Sequence, residues 1–146
     1  MINLINYFKQ IQEINYALTK IDVPYNTSDF PNTYPVGKDL DIFVSNNDFE
    51  KIKKITNNFL KDYRKDFIIK IICTKNNIRF RLENKKKLHY QIDITIEFDS
   101  ILENKIKNDI YNILSLNNEA IIRKLEIKKN PHKIHHLEWL KKFNFI

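Results

Sequence analysis

The sequence predicts an α/β (α+β) domain: a mixed, mostly antiparallel sheet backed by helices, with further helices toward the C-terminal end. Three observations carry that expectation. Some stretches repeat apolar residues at helical spacing, others alternate apolar and polar residues with the period of a strand, and the two patterns interleave along 146 residues. That length suits one domain, spanning 1–146, with a core over about 1–99 and a helical part over about 100–146.

The elements follow in order. Residues 2–21 place Leu4, Phe8, Ile11 and Leu18 on one face with Ile5 and Ile14 beside them, and are read as one amphipathic helix interrupted only by Asn15. From Asp22 to Lys38 the chain carries Pro24, Pro31, Pro35 and its single glycine, Gly37, which marks a loop. The run Asp39 to Val44 reads as a strand. Next, Ser45 to Tyr63 opens with a cap candidate in Ser45–Asp48 and sets Phe49, Ile52, Ile55, Phe59 and Leu60 on one helical face. Three strand-like runs follow, Asp66–Lys75, Asn77–Glu83 and Leu88–Phe98, separated by turns at Asn76-Asn77 and Asn84–Lys87; they read as an antiparallel meander. The remainder reads as three helices, over 101–114, 117–129 and 132–143, the last with Asn130 as cap and Pro131 as first helical residue.

Composition narrows the class. With 42% hydrophobic and 29% charged residues the chain is globular rather than disordered. The single cysteine, Cys73, excludes an internal disulfide and sits in an apolar run, where a buried thiol is expected. Met1–Gln10 lacks the pattern of a signal peptide, and no apolar run reaches the roughly eighteen residues of a membrane span, so a cytoplasmic protein with no membrane partner is expected. The net charge of +7 attracts phosphorylated partners at long range, but the lysines are scattered and no nucleic-acid reader motif accompanies them; a basic RNA-binding module is the least favoured reading.

The chemistry lies in two strands. Asp39, Asp41 and Phe43 share one face of their strand while Leu40, Ile42 and Val44 share the other, so two carboxylates stand side by side. Close like charges call for a cation between them, and oxygen ligands suit a divalent metal. In the third strand of the meander, Tyr90, Ile92, Ile94, Ile96 and Phe98 share a face; His89, Gln91, Asp93, Thr95 and Glu97 share the opposite one, and Asp93 supplies a third carboxylate. Glu97 and Asp99 are read as surface or cap residues. His132 and His136 have the i, i+4 spacing of a zinc pair, yet no further ligand motif completes a site, so the histidines of that helix are expected to face solvent. Tyr7, Tyr16 and Trp139 are read as core or interface aromatics.

The residues "KDLDIFV" and "QIDITIEF", in that order and with a helix between, resemble the polymerase-beta-like nucleotidyltransferase superfamily, closest to its small bacterial branch of lincosamide-antibiotic nucleotidyltransferases. The resemblance implies a Mg-dependent, in-line transfer of a nucleoside monophosphate from a triphosphate, ATP by default, to a hydroxyl or phosphate of a small molecule or a protein. It implies that Asp39, Asp41 and Asp93 are catalytic and hold two Mg ions. Lys38, Arg79 and Arg81 are candidate phosphate contacts, with Gly37, Ser28, Thr33 and Lys133 as further nucleotide-binding candidates. The superfamily usually carries a Gly-Ser turn some ten residues ahead of the Asp pair. This chain has none, and Thr27, Ser28 or Thr33 would have to replace it. The late segment of that branch also expects Asp where His136 stands. A non-catalytic relative that binds a nucleotide or a partner is the alternative. A chain this short would build its acceptor site from its C-terminal helices or a second subunit, which makes a homodimer a natural expectation.

Overall fold

The computed structural model describes residues 2–21, 30–34, 37–85 and 89–146. Among these residues seven strands form one mixed sheet in the order β3-β4-β5-β2-β1-β7-β6, where β1 is Tyr16–Thr19, β2 Asp39–Val44, β3 Ile68–Cys73, β4 Asn77–Glu83, β5 His89–Ile96, β6 Ile106–Asn108 and β7 Tyr111–Ile113. Antiparallel pairing joins β3 to β4, β4 to β5, β1 to β2 and β6 to β7; β2 with β5 and β1 with β7 run parallel. The α-helices are α1 (Ile5–Gln10), α2 (Phe49–Leu60), α3 (Asp99–Leu102), α4 (Leu116–Lys129) and α5 (Ile134–Lys142).

The alternation read from the sequence divides the sheet into two faces. Leu40, Ile42 and Val44 of β2, Ile92 and Ile94 of β5 and Ile78, Phe80 and Leu82 of β4 pack with Tyr7 and Phe8 of α1 and Phe49, Ile52 and Leu60 of α2 in the main core. On the opposite face Ala17 and Phe43 lie with Leu102, Leu114 and Ile122 in a smaller cluster. That second cover is partial. It closes over Phe43 but stops short of Asp41 and Asp39, which lie one and two alternations back along β2, and the uncovered part of the sheet becomes a cleft floor.

The meander, α2, α4 and α5 lie where the sequence puts them, but two helices do not. Within residues 2–21 the chain forms α1 and then β1, because Tyr16–Thr19 is buried on both faces between β2 and β7, and such a short continuous apolar run has no period to distinguish strand from helix. The chain turns at Asn15, whose N–H donates to Asp48 Oδ2 at 2.7 Å and whose carbonyl accepts from Ser45 N. Asp48 is thereby used as a tether, and neither it nor Ser45 makes a side-chain cap bond to the turn and helix that follow. Residues 101–114 form the end of α3 and the β6–β7 hairpin instead of a helix, with Asp109 at φ 58° in the left-handed region that Asp tolerates in turns. Smaller corrections follow. Asn130 closes α4 and α5 starts at Ile134, preceded by Lys133 rather than by Asn130 and Pro131. The β3–β4 turn is at Lys75-Asn76, and Asn77 already belongs to β4. Cys73 is exposed rather than buried, because β3 is the outer strand of the sheet.

Candidate functional site

The parallel pairing of β2 with β5 aligns Asp41 directly with Asp93 and Asp39 with Gln91. Neighbouring strands lie about 4.8 Å apart, so these side chains rise next to one another from one face of the sheet. β4 adds Arg79 opposite Asp93, and β1 adds Thr19 opposite Asp41. A cleft of about 300 Å³ opens over this floor, lined by Asp39, Asp41, Asp93, Lys20, Lys38 and Arg79, by Gly37 and Gln91, and from the C-terminal helical side by Glu126, Lys133, His135 and His136. Gly37 adopts φ +84°, a conformation that favours glycine, and donates its N–H to His89 O; this fixes the entry to β2 at the cleft rim.

Each carboxylate has distinct company. Asp93 accepts from Asn77 Nδ2 at 3.0 Å through one oxygen, and from Arg79 Nη2 at 3.1 Å and Gln91 Nε2 at 3.2 Å through the other. Asp41 lies 3.5 Å from Lys20 Nζ, which is also 3.5 Å from Glu126. Burial pushes the Asp41 carboxyl up to about 6; Lys20 opposes this, while the negative charges of Asp93 and Asp39 add to it. Burial alone would pull the Lys20 ammonium down, but Asp41 and Glu126 outweigh it and hold it above its ordinary value. For Glu126 burial likewise acts upward, and Lys20 overcomes it to hold that carboxyl low. Asp39 is exposed at the cleft mouth.

Lys20 is not legible as a site residue in the sequence because the helix expected over 2–21 hides the end of β1. Its φ of 56° is uncommon for a residue with a side chain and costs about 1–2 kcal/mol. Glu119 holds that turn, accepting from Lys20 N at 2.8 Å and from Thr19 Oγ1 at 2.8 Å. Glu119 also accepts from Arg123 Nε at 2.8 Å, and the fully buried Arg123 lies 3.2 Å from His136 Nδ1 and 5.1 Å from the Trp139 ring. His136 is therefore buried, not solvent-facing, because the ion pair beneath α4 and α5 draws its ring inward. The signal available in sequence was Glu119 and Arg123 at i, i+4 on a helix whose neighbours Ala120 and Ile122 are apolar.

The remaining candidates divide. Lys38, Gly37, Arg79 and Lys133 line the cleft. Arg81 shares the sheet face of Arg79, but its guanidinium is bonded to Glu83 at 2.6 Å and to Gln91 at 3.2 Å and does not line the cleft. Thr33 lies beside the bridge residue Tyr34, away from the cleft lining. Ser28 and Thr27 fall outside the described residues. Next to the cleft and sharing Lys20 with it, a second cavity of about 170 Å³ is walled by Leu18, Tyr111, Trp139 and Phe143.

A divalent cation is the group the resemblance implies. Hard carboxylate oxygens in one row suit it. Among the described residues, however, no three His, Cys, Asp or Glu side chains stand grouped so as to hold a metal as they are, since Asp93 is turned to Arg79 and Asp41 to Lys20. The exposed Asp39 and the Asp41 carboxylate with its one bonded oxygen fit best as ligands.

No protein-family model matches the chain, and no curated protein matches it. Among solved structures it is similar to JHP933 from Helicobacter pylori, with 12% identity and a TM-score of 0.47, over 82% of this chain and 53% of that one. The chain thus spans about half the length of that protein.

Proposed function

We propose that the protein is a Mg-dependent nucleotidyltransferase that moves a nucleoside monophosphate from a triphosphate to a hydroxyl or phosphate of a small molecule or protein. The observation that carries this reading is the side-by-side register of Asp41 and Asp93, with Asp39 beyond them, on the floor of a cleft rimmed by Lys20, Lys38 and Lys133. Asp39 and Asp41 would hold the cation, with Asp93 alongside; when bound, the metal supplies charge neutralisation at the phosphates in an in-line displacement. Lys20 orients Asp41 and, held between two carboxylates, stays charged. Arg79 and Gln91 orient the Asp93 carboxylate, and release of those hydrogen bonds would free it to draw a proton from an acceptor hydroxyl in the cleft. Lys38 and Lys133 place positive charge where phosphate oxygens would enter. The ring of the base would enter the 170 Å³ cavity, since about 150 Å³ of apolar space accepts a benzene-sized group.

Thermal unfolding with each common nucleoside triphosphate, with and without Mg, tests binding, because a ligand held only by the folded chain raises its stability. We expect a Mg-dependent rise with at least one nucleotide and its loss in Asp41→Asn. No rise with any of them overturns the proposal. A second reading, a binder without turnover, is favoured by the three donors already on Asp93. A Mg-dependent rise with no release of pyrophosphate across a panel of acceptor hydroxyls would select it.

A further inference from the structure

The two edges of the sheet are treated differently. At one end β6 is three residues long and carries Lys107 and Asn108, a short polar edge of the kind that resists pairing with other chains. At the other end β3 is six residues long, pairs without a bulge along β4, contains no proline, and reads Ile68-Ile69-Lys70-Ile71-Ile72-Cys73. Ile68, Ile71 and Ile72 are 68%, 45% and 57% exposed. Its one charge, Lys70, is bonded to Glu83 at 2.9 Å on β4. A long, regular, apolar edge of this kind is a strand-pairing surface.

We propose that β3 pairs antiparallel with β3 of a second copy, joining two sheets into one across a two-fold axis. The backbone fixes which residues meet. Thr74 N donates to Asn77 O at 2.7 Å, so Thr74–Asn77 is a hydrogen-bonded pair of the β3–β4 ladder. Strict alternation then turns the N–H and C=O groups of Ile68, Lys70 and Ile72 toward β4, and those of Ile69, Ile71 and Cys73 toward the free edge. Only registers that match these outward residues can bond.

Centring the axis on Ile71 sets Ile71 against its own copy, Ile69 against Cys73 and Lys70 against Ile72. Sliding the copy by two residues one way sets Lys70 against Lys70 and Lys65 against Lys75, with like charges opposed. The opposite slide sets Lys75 against Ile69 and leaves only Ile71–Cys73 of each β3 paired with β3 of the other copy, where centring on Ile71 pairs Ile69–Cys73. The edge is therefore complementary to itself in one register, which favours a second copy over an unrelated strand. Such a two-fold closes the assembly, because both β3 edges are consumed and, among the described residues, the blunt β6 edges are the ones left outside. It also keeps both clefts on one side of the joined sheet, with the two β5 strands five strand spacings apart, about 24 Å.

A strand pair is a small interface, so a concentration-dependent equilibrium is expected. Sedimentation equilibrium across the micromolar range and up to the solubility limit tests it. The wild-type mass should climb from one chain to two, and Ile72→Lys, which faces Lys70 of the other copy twice, should weaken association by roughly tenfold. Ile72 is exposed, so the variant should keep its fold. In Ile71→Cys combined with Cys73→Ser, the introduced thiols lie at a hydrogen-bonded pair with Cα atoms about 5.5 Å apart, a spacing that suits a disulfide, and mild oxidation should cross-link the dimer. A single-chain mass throughout, whether or not this edge captures a foreign strand, overturns the proposal. So does a dimer that neither weakens with Ile72→Lys nor cross-links.

Discussion

At the scale of single residues, one group with no assigned chemistry supports the cleft from below. Arg123 is completely buried, paired with Glu119 and packed on Trp139, and Glu119 in turn holds the turn that presents Lys20. Removing one partner of a buried pair leaves the other charge uncompensated, so Arg123→Met should cost about 3 kcal/mol in urea-induced unfolding. A loss below about 1 kcal/mol, within the range of ordinary surface substitutions and exposed ion pairs, would show that Glu119 is satisfied without it. The carboxylate positions are legible in the sequence because alternation fixes a face: it separates Asp39 and Asp41 from Leu40 and Ile42, and Asp93 from Ile92 and Ile94. Lys20 and His136 were not legible, because each owes its place to a partner about a hundred or thirteen positions away in the chain, through Glu119 for Lys20 and Arg123 for His136.

At the scale of elements, a full apolar stripe over several turns identifies its helix, whereas a run of three or four residues does not identify its own type. The twelve residues of α2 carry a full apolar stripe, and Ile52 at its centre is fully buried against the sheet. Ile52→Ala should therefore cost about 2–5 kcal/mol, measured as a shift in unfolding midpoint at unchanged denaturant slope. The N-terminal cap of α4 is a smaller lever. Ser115 accepts from Asn118 N at 3.2 Å, and Ser115→Ala should cost about 1 kcal/mol; no change would mean water satisfies that N–H equally well. By contrast β1, β6 and β7 are three or four residues long, too short to complete a period. Pairing with neighbours distant in sequence decides them: β1 is a strand because β2 and β7 flank it, a relation that residues 16–19 do not encode by themselves.

At the scale of the whole molecule, the main core is rich in aromatic rings, and two of its phenols link stability to pH. Tyr7 is fully buried and its hydroxyl is bonded to Thr56 Oγ1 at 2.7 Å; burial raises it above its ordinary value despite that bond. Burial likewise pushes Tyr16 up to about 12, against the opposing hydrogen bond from Asn112. In the unfolded chain a phenol ionises near pH 10, so the unfolded state loses protons first. The contribution of both groups is complete below about pH 10 and falls as pH rises above it, by about 1.4 kcal/mol per pH unit for each phenol. Urea midpoints measured at increasing alkaline pH should drop steeply in the wild type and less steeply in Tyr16→Phe. Equal slopes would mean that other groups carry the alkaline loss. None of the described helices is long and apolar enough to cross a membrane. The layering of two helices, one sheet and a partial second cover follows from alternation in β2, β4 and β5, and the cleft exists because that second cover ends between Phe43 and Asp41.

The most direct measurement is the binding of Mn, which replaces Mg and is read by electron paramagnetic resonance, in the presence of a non-hydrolysable nucleoside triphosphate. The wild type should take up the ion, and Asp39→Asn and Asp41→Asn should each weaken that uptake by roughly tenfold or more while keeping the folded circular dichroism spectrum. Uptake unchanged in both variants would contradict a metal-assisted role for this cleft.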